Sequence, residues 1–591
     1  MNILIPLVIA AAVYFLGYWF YSPFMSKVFG ENDKNPTPAV QFNDDKDYVP
    51  SKLGVAFSHH FASIAGAGPI VGPTVAVLFG YIPVWLWLIF GAVFFGAVHD
   101  YTALFTSMRE KGKSMAEVAR INLGKPGFLL FIGFTTLMIL LITSAFLGLT
   151  AASLTSLVSL KDMRISEGDT VLKTLVGKDG VVRAQIGGIA STSVIVLSCC
   201  APVIGWLLYR KKANAWPVAF TAMAIGLASI AIGVAFPISL DPKTWMVILT
   251  VYCFFAAGVP VWIVLQPRDF MNSFILYAGI AMLAIGVLAG GFTGVSTQAP
   301  AFNLAQGELK LGYIWPFLFI TVACGAISGF HALVAGGTVA KQASKESHAR
   351  VIGYGGMILE GVLAVLVLLT VSSGLDFGTY LNIVWPAKGG ANPVLAFSLS
   401  MGGMLHKAMG VPMAFGTVFG ILMVEGFVIT TLDTAVRLNR YLFEELWAVL
   451  FKNPPAFLKS YFFNAALSCA LMLWLAYTNT FQLIWPIFGA SNQLMAALTL
   501  VGVSVWLAAR GKPTYFTLIP AACMMLTTVT GLALLLVRTY IPKGNVPLIV
   551  ADVLLMLLAI GVAVLAIRKL SELRKRPAAP SELPPAIAKA G

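Results

Sequence analysis

Apolar runs of about twenty residues recur along nearly the whole chain, separated by short polar turns, and this recurrence constrains the fold before any motif is considered. One such run crosses the hydrocarbon core of a bilayer as a single helix. Fifteen spans are predicted, at roughly 3–22, 55–80, 82–106, 127–153, 187–209, 217–236, 245–266, 272–295, 313–336, 351–373, 411–435, 460–478, 481–507, 514–537 and 548–567. With 58% of its residues hydrophobic and 11% charged, the chain carries more apolar surface than one soluble core could bury. The fold class is therefore an all-α polytopic membrane protein.

A formal net charge of +14 would point to nucleic acid in a soluble protein, but here the placement of the charge decides its meaning. When segments after alternate spans are assigned to one side, 28 of the 39 Lys and Arg fall there, 11 on the other side and none within a span. The positive-inside rule then places the N-terminus outside and the C-terminus in the cytoplasm. "MREKGK" 108–113, "YRKK" 209–212 and "RKLSELRKRP" 568–577 are topology signals first and sites for anionic lipid second; no nucleic-acid partner is expected. The first span lacks a basic leader and a small-residue cleavage site, so it reads as a retained helix. All six cysteines lie in apolar runs without metal-ligand spacing and read as small core hydrophobes.

The stretch "FSHHFASIAGAGPIVGPT" 57–74 breaks the apolar pattern with two histidines, three glycines within seven residues and two prolines. An interrupted helix frees backbone groups that hydrocarbon cannot satisfy, so such a break must line a wetted, protein-walled cavity. Pro69 and Pro73 suit the first turn of an outer half-helix. The positive end of that half-helix, at Ala65, Gly66, Ala67 and Gly68, would face an anion such as a carboxylate. A second candidate break, "AAGVP" 256–260, lies five spans later in a span of opposite direction, which adds Ala257, Gly258 and Val259 to the expected substrate site. Two interrupted helices, each opening a set of five spans, predict an inverted repeat with a midplane site. The expected organisation is an N-terminal extra helix and loop (1–54), two five-helix repeats (55–236 and 245–435), further helices (436–570) and a disordered cytoplasmic tail (571–591).

Five carboxylates fall within the predicted spans. A charge at the membrane centre costs about 2.5–3.5 kcal/mol on insertion scales, so each needs a partner, a proton or a function. Asp552 near an outer helix end, and Asp433 one turn from Arg437, are expected in interfacial or helix-end salt bridges. Glu360 and Glu425 are mid-span and are either neutral hydrogen-bonded carboxyls or proton carriers. His60 lies near the first break, Asp100 beside His99, and His331 shares a small-residue helix with Ser328. His60, Glu360, Glu425, His331 and Asp100 are the candidates for proton coupling, and Ser328 for an ion site. Adjacent His59 and His60 point to different helix faces, so no metal is expected; no enzyme motif is present and no cofactor is implied.

The blocks "FSHHFASIAGAGPIVGPTVAVLFGYIP" 57–83, "HDYTALFTSMREKGKSMAEVA" 99–119, "QPRDFMNSFILY" 266–277, "GFHALVAGGTVAKQ" 330–343, "TTLDTAVRLNRYLFEE" 430–445 and "WPIFGASNQLMAALTL" 485–500 resemble the carbon starvation protein A (CstA) family, in order, over about 57–500. The resemblance implies a bacterial inner-membrane secondary transporter of the amino acid/polyamine/organocation superfamily. It also implies a LeuT-like core of five plus five inverted helices with additions at both ends. Members are associated with peptide uptake in carbon-starved cells, and some with proton-coupled pyruvate uptake. The expected activity is therefore proton symport of a small carboxylate-bearing nutrient, pyruvate or short peptides. A sodium-coupled symporter, and a channel or nutrient receptor without active transport, are the alternatives.

Overall fold

The computed structural model describes residues 1–44, 48–163, 172–177, 180–211, 215–260, 263–387 and 390–575. The membrane portion opens with α1 (Leu4–Phe29). A bent pair follows, α2 (Leu53–Ile64) and α3 (Gly68–Phe79), and then α4 (Tyr81–Arg109) and α5 (Met115–Leu154). Next come α6 (Ile186–Leu208), α7 (Trp216–Ala235), the shorter α8 (Pro242–Gly258) and α9 (Leu265–Phe292). Two eight-residue helices, α10 (Ile314–Thr321) and α11 (Phe330–Gly337), flank an irregular stretch and lead to α12 (Arg350–Gly374). After α13 (Phe377–Val384) and α14 (Pro393–Met409), the chain continues as α15 (Met413–Leu450), α16 (Tyr461–Thr478), α17 (Phe481–Ala508), α18 (Tyr515–Tyr540) and α19 (Val546–Lys575).

Among the described residues, twelve helices are long and apolar enough to cross a membrane, or thirteen with the α2–α3 pair. The two remaining predicted segments coincide with α8, of 17 residues, and with the broken pair α10–α11. Neither is one long helix, so length and composition alone do not make them spans.

Several expectations are corrected. "AAGVP" does not interrupt a helix: α8 ends at Gly258, capped by Val259 in extended conformation, and Pro260 follows as prolines do after helix ends. The mid-chain interruption is instead the stretch 322–329 between α10 and α11. Pro73 lies inside α3, and only Pro69 occupies its first turn. Arg268 is not outside the apolar segments but sits on α9, 2% exposed. The last helix runs to Lys575, so 571–575 are not disordered; 576–591 lie outside the described residues.

Packing sets specific helix pairs around the interruptions. α5 and α15, the two longest helices, run against each other through the core. α3 lies on α12, and α11 lies on α4; α8 packs on α16; α9 packs on α15, and α17 packs on α5. α17 is buried over its full apolar window, so it is enclosed by helices rather than by lipid.

Between α12 and α15 the described residues do not form an open loop. α14 begins where Asn392 donates to the Ser156 hydroxyl and ends where Lys407 donates to the Ser373 carbonyl. Its first sixteen residues are almost all buried against α12, α9 and α15. Beside it a small antiparallel sheet, order β1 (Val158–Ser159), β3 (Val182–Ala184), β2 (Thr174–Val176), occupies the connection between α5 and α6.

At the other end, the connection after α1 is strapped to the loop after α11. The Asn32 amide donates to Glu346 Oε2 (2.8 Å) and the Ser347 amide to Asp33 Oδ1 (2.9 Å). The Val49 and Ser51 amides donate to the carbonyls of Lys341 and Gln342. Arg109 closes the group by an ion pair to Glu346 at 2.8 Å.

Candidate functional site

The first interruption is short and tight. The Ala65 amide still reaches Phe61, Gly66 turns back to Ile64, and α3 departs at 43° from α2. The amides of Ala67 and Gly68 find no acceptor among the described residues, leaving donors at the buried start of α3. The sequence allows this because two glycines remove the side chains that would otherwise fill the bend. A Cβ on Gly68 would stand 2.3 Å from Cys324 Sγ, and one on Gly66 3.0 Å from Thr431 Oγ1.

The second interruption is held by α17. Asn492 Oδ1 accepts from the Phe330 amide (3.0 Å) and from the Ser328 hydroxyl (3.3 Å). Asn492 Nδ2 donates to Cys324 Sγ (3.2 Å), and the Asn492 carbonyl accepts from the Gly329 amide. Gln493 Nε2 donates to the Phe319 carbonyl at 2.6 Å, and Trp87 Nε1 to that of Val322 at 3.1 Å. Side-chain amides thus replace the helix ladder where α10 ends and α11 begins, as buried backbone groups require.

Between the two interruptions lies a cavity of about 20 Å³, on the order of one water molecule. Gly66, Gly68, Cys324, Ser328 and Asn492 supply its polar and backbone lining, and Phe146 and Phe488 its aromatic walls. Gly68→Ala places a methyl group that overlaps the Cys324 side chain, which must shift, and so closes this space. Transport is expected to fall at least tenfold with the protein still folded, and Gly68→Ala/Cys324→Gly to recover part of it. Full uptake by Gly68→Ala protein in proteoliposomes would show that the space is not on the path.

Four of the five proton-coupling candidates converge beside this cavity. His331, at the start of α11, donates from Nδ1 to Asp100 Oδ2 of α4 at 2.8 Å, and His99 Nδ1 donates to the other oxygen at 2.7 Å. His331 Nε2 then stands 3.2 Å from Glu360 Oε2 of α12. His60 of α2 rests against Gly356, one turn before Glu360, and neither ring nitrogen has a partner among the described residues. All five side chains are fully buried. A carboxylate, an imidazole and a second carboxyl side by side form a candidate proton path, in which the His331–Glu360 step is a close approach and not a hydrogen bond. The chain crosses α4, α11 and α12, so its proton occupancy bears on how those helices pack.

Glu425 does not join them. It is buried on α15 near Ser153 of α5, with no hydrogen-bond partner among the described residues. Asp433 pairs with Arg268 Nη1 at 2.6 Å rather than with Arg437 as expected, and accepts from Tyr252 at 3.0 Å. Arg268 also donates to Tyr252 and, at 2.8 Å, to Asp269. Arg437 instead donates to the carbonyls of Ala256 and Val259, so Ala257, Gly258 and Val259 form a pinned helix end away from the cavity. Asp552 is buried without a hydrogen-bond partner among the described residues, not in an interfacial salt bridge. Among the described residues no group of three His, Cys, Asp or Glu is placed to hold a metal ion.

Asn492, Cys324 and Thr431 were missed as site residues. The polar triplet Ser491–Asn492–Gln493 inside an apolar run was the available signal, and its partner was the small-residue stretch "CGAISG" 324–329.

Two interrupted helices meeting at a buried cavity in a helical membrane protein are an arrangement found in secondary transporters. The family described as "Carbon starvation protein CstA" matches residues 2–389 and 387–531. "Peptide transporter CstA" of Bacillus subtilis is 33% identical over 570 residues, 89% of each chain. "Pyruvate/proton symporter BtsT" of Escherichia coli is 30% identical over 618 residues, 90% of this chain and 81% of that one. The chain belongs to the CstA family. Similar solved structures include a manganese transporter of Eremococcus coleocola (10% identity, 90% and 99% of the chains, TM-score 0.46). Another is MhsT in complex with L-phenylalanine (12%, 87% and 100%, TM-score 0.45).

Proposed function

We propose that this protein is a proton-coupled importer of small carboxylate-bearing nutrients, pyruvate or short peptides, in a bacterial inner membrane, serving carbon-starved cells. The observation that carries the proposal is the acid–histidine chain Asp100–His331–Glu360 joined directly to the interruption at 322–329. The unpaired amides of Ala67 and Gly68 would receive the substrate carboxylate. The proton would enter the chain through Asp100, His331 and Glu360, with His60 facing them, and Ser328 would orient substrate or ion beside Asn492.

The helix pairing supports an inverted repeat with boundaries different from those expected. One unit comprises α2–α3, α4, α5, α8 and α9, and the other α10–α11, α12, α15, α16 and α17; α6 and α7 form an inserted hairpin. Exchange of the units turns α3 on α12 into α11 on α4, and α9 on α15 into α17 on α5, both of which are contacts of the structure. The basic loops, on this proposal, are cytoplasmic, with the N-terminus outside.

The test is uptake of labelled pyruvate into proteoliposomes without sodium, under an inward proton gradient, with dipeptides as competitors. Accumulation abolished by a protonophore and indifferent to dipeptides is expected of a pyruvate symporter; suppression by dipeptides assigns peptides instead. Accumulation that requires sodium, or none against a gradient, overturns proton symport.

A further inference from the structure

A second cavity, of about 390 Å³, lies at the opposite end of the protein from the strapped loops, where α14, the end of α12 and the start of α15 meet the connection after α5. Along one wall the α12 and α14 backbones are in close contact: a Cβ on Gly403 would stand 2.2 Å from the Gly374 carbonyl, and one on Gly374 2.0 Å from that of Ser400. None of its lining residues borders the central cavity.

The wall chemistry is mixed in a particular way. Lys161, His406 and Lys407 bring cationic or protonatable nitrogens, Asp162 and Asp376 bring carboxylates, and Met413, with Leu375 beside it, supplies a buried apolar floor. Three of the polar groups are held in place. Lys407 donates to the Ser373 carbonyl at 2.6 Å, Asp376 caps α13 through the Thr379 amide at 3.0 Å, and the His406 ring bonds the Val411 carbonyl at 3.2 Å. A volume of this order suits a small organic ligand and greatly exceeds that of an ion.

We infer that this pocket binds a small zwitterion, an amino acid or short peptide with a free ammonium and a free carboxylate, at a site separate from the transport path. The carboxylate meets Lys161 and Lys407, the ammonium meets Asp162 and Asp376, and an apolar side chain rests on Met413 and Leu375. A simple anion would satisfy only half of the wall. Because α12, α14 and α15 all border the pocket, occupancy ties together these three helices, of which α15 also lines the central cavity through Thr431. Exposed charges bind weakly, so affinity is expected on the order of millimolar.

The test is equilibrium binding of labelled leucine, alanyl-leucine and pyruvate to the full-length protein in nanodiscs. Two variants target the pocket: Met413→Trp, which crowds its apolar floor, and Asp376→Asn, which removes charge while keeping a helix-capping side chain. Gly68→Ala serves as a variant of the central cavity alone. The expected result is zwitterion binding that persists in Gly68→Ala and weakens at least fivefold in both Asp376→Asn and Met413→Trp, with pyruvate not competing for it. Zwitterion binding lost in Gly68→Ala, or unchanged in both pocket variants, overturns the inference; pyruvate competing equally would make the pocket an anion site and overturn it as well. Failure of central uptake in Gly68→Ala leaves these readouts intact, so the two proposals fall separately.

Discussion

Glu360→Gln protein is expected to lose gradient-driven accumulation while continuing to exchange internal for external substrate. Glu360 stands 3.2 Å from His331 and is fully buried on α12. Glutamine keeps its size and polarity but cannot release a proton. A driving force of about 100 mV is worth about 2.3 kcal/mol per charge, which corresponds to roughly fifty-fold accumulation for one coupled proton. The variant should instead equilibrate its substrate at about equal concentrations. Exchange separates coupling from folding, because a collapsed site would lose both. Accumulation at the wild-type level would remove Glu360 from the coupling path and turn attention to Asp100 or to the isolated Glu425.

The second large effect concerns stability. Arg268→Met is expected to destabilise the protein by about 3–5 kcal/mol, since it leaves Asp433 buried opposite an apolar group. Arg268 pairs with Asp433 at 2.6 Å where both are almost fully buried, and Tyr252 is the only other donor to Asp433 among the described residues. The double variant Arg268→Met/Asp433→Leu should recover most of the loss, because removing both ions of a buried pair is often near neutral. Thermal unfolding of the purified protein in detergent, read by near-ultraviolet dichroism, provides the cycle. A single variant as stable as the double one would mean that Asp433 takes a proton and that the pair does not hold α9 to α15.

The location of the spans was legible because hydrocarbon thickness imposes its own period on the sequence. The first interruption was equally legible, since Gly66, Gly68 and Pro69 leave no helix that could continue. The convergence of His60, Asp100, His331 and Glu360 could be suspected only from each being polar in an apolar run; nothing local says that α4, α11 and α12 touch. The second interruption escaped because no proline stands within 322–329 and its neighbours remain apolar. What breaks the helix there is a partner 160 or more residues away, Asn492, bonded to Phe330 and Ser328. Conversely, "AAGVP" misled because Gly–Val–Pro marks a helix end as readily as a mid-membrane break. Arg268 was placed outside the bilayer by a hydropathy window that began too late, at 272, for a helix that starts at Leu265.

The strap between the first connection and the loop after α11 also sets an order for biogenesis. Asn32 and Glu346 are 314 residues apart in the chain. At about 5–20 residues per second, ribosomes need roughly 15–60 s to supply the second partner after the first has emerged. During that interval the segment 30–52 has no native acceptor for its amides from Glu346, Lys341 or Gln342. Every nascent chain therefore carries this segment unstrapped until α11 and the loop after it have been made, so the end of the protein that holds the strap is completed late in synthesis.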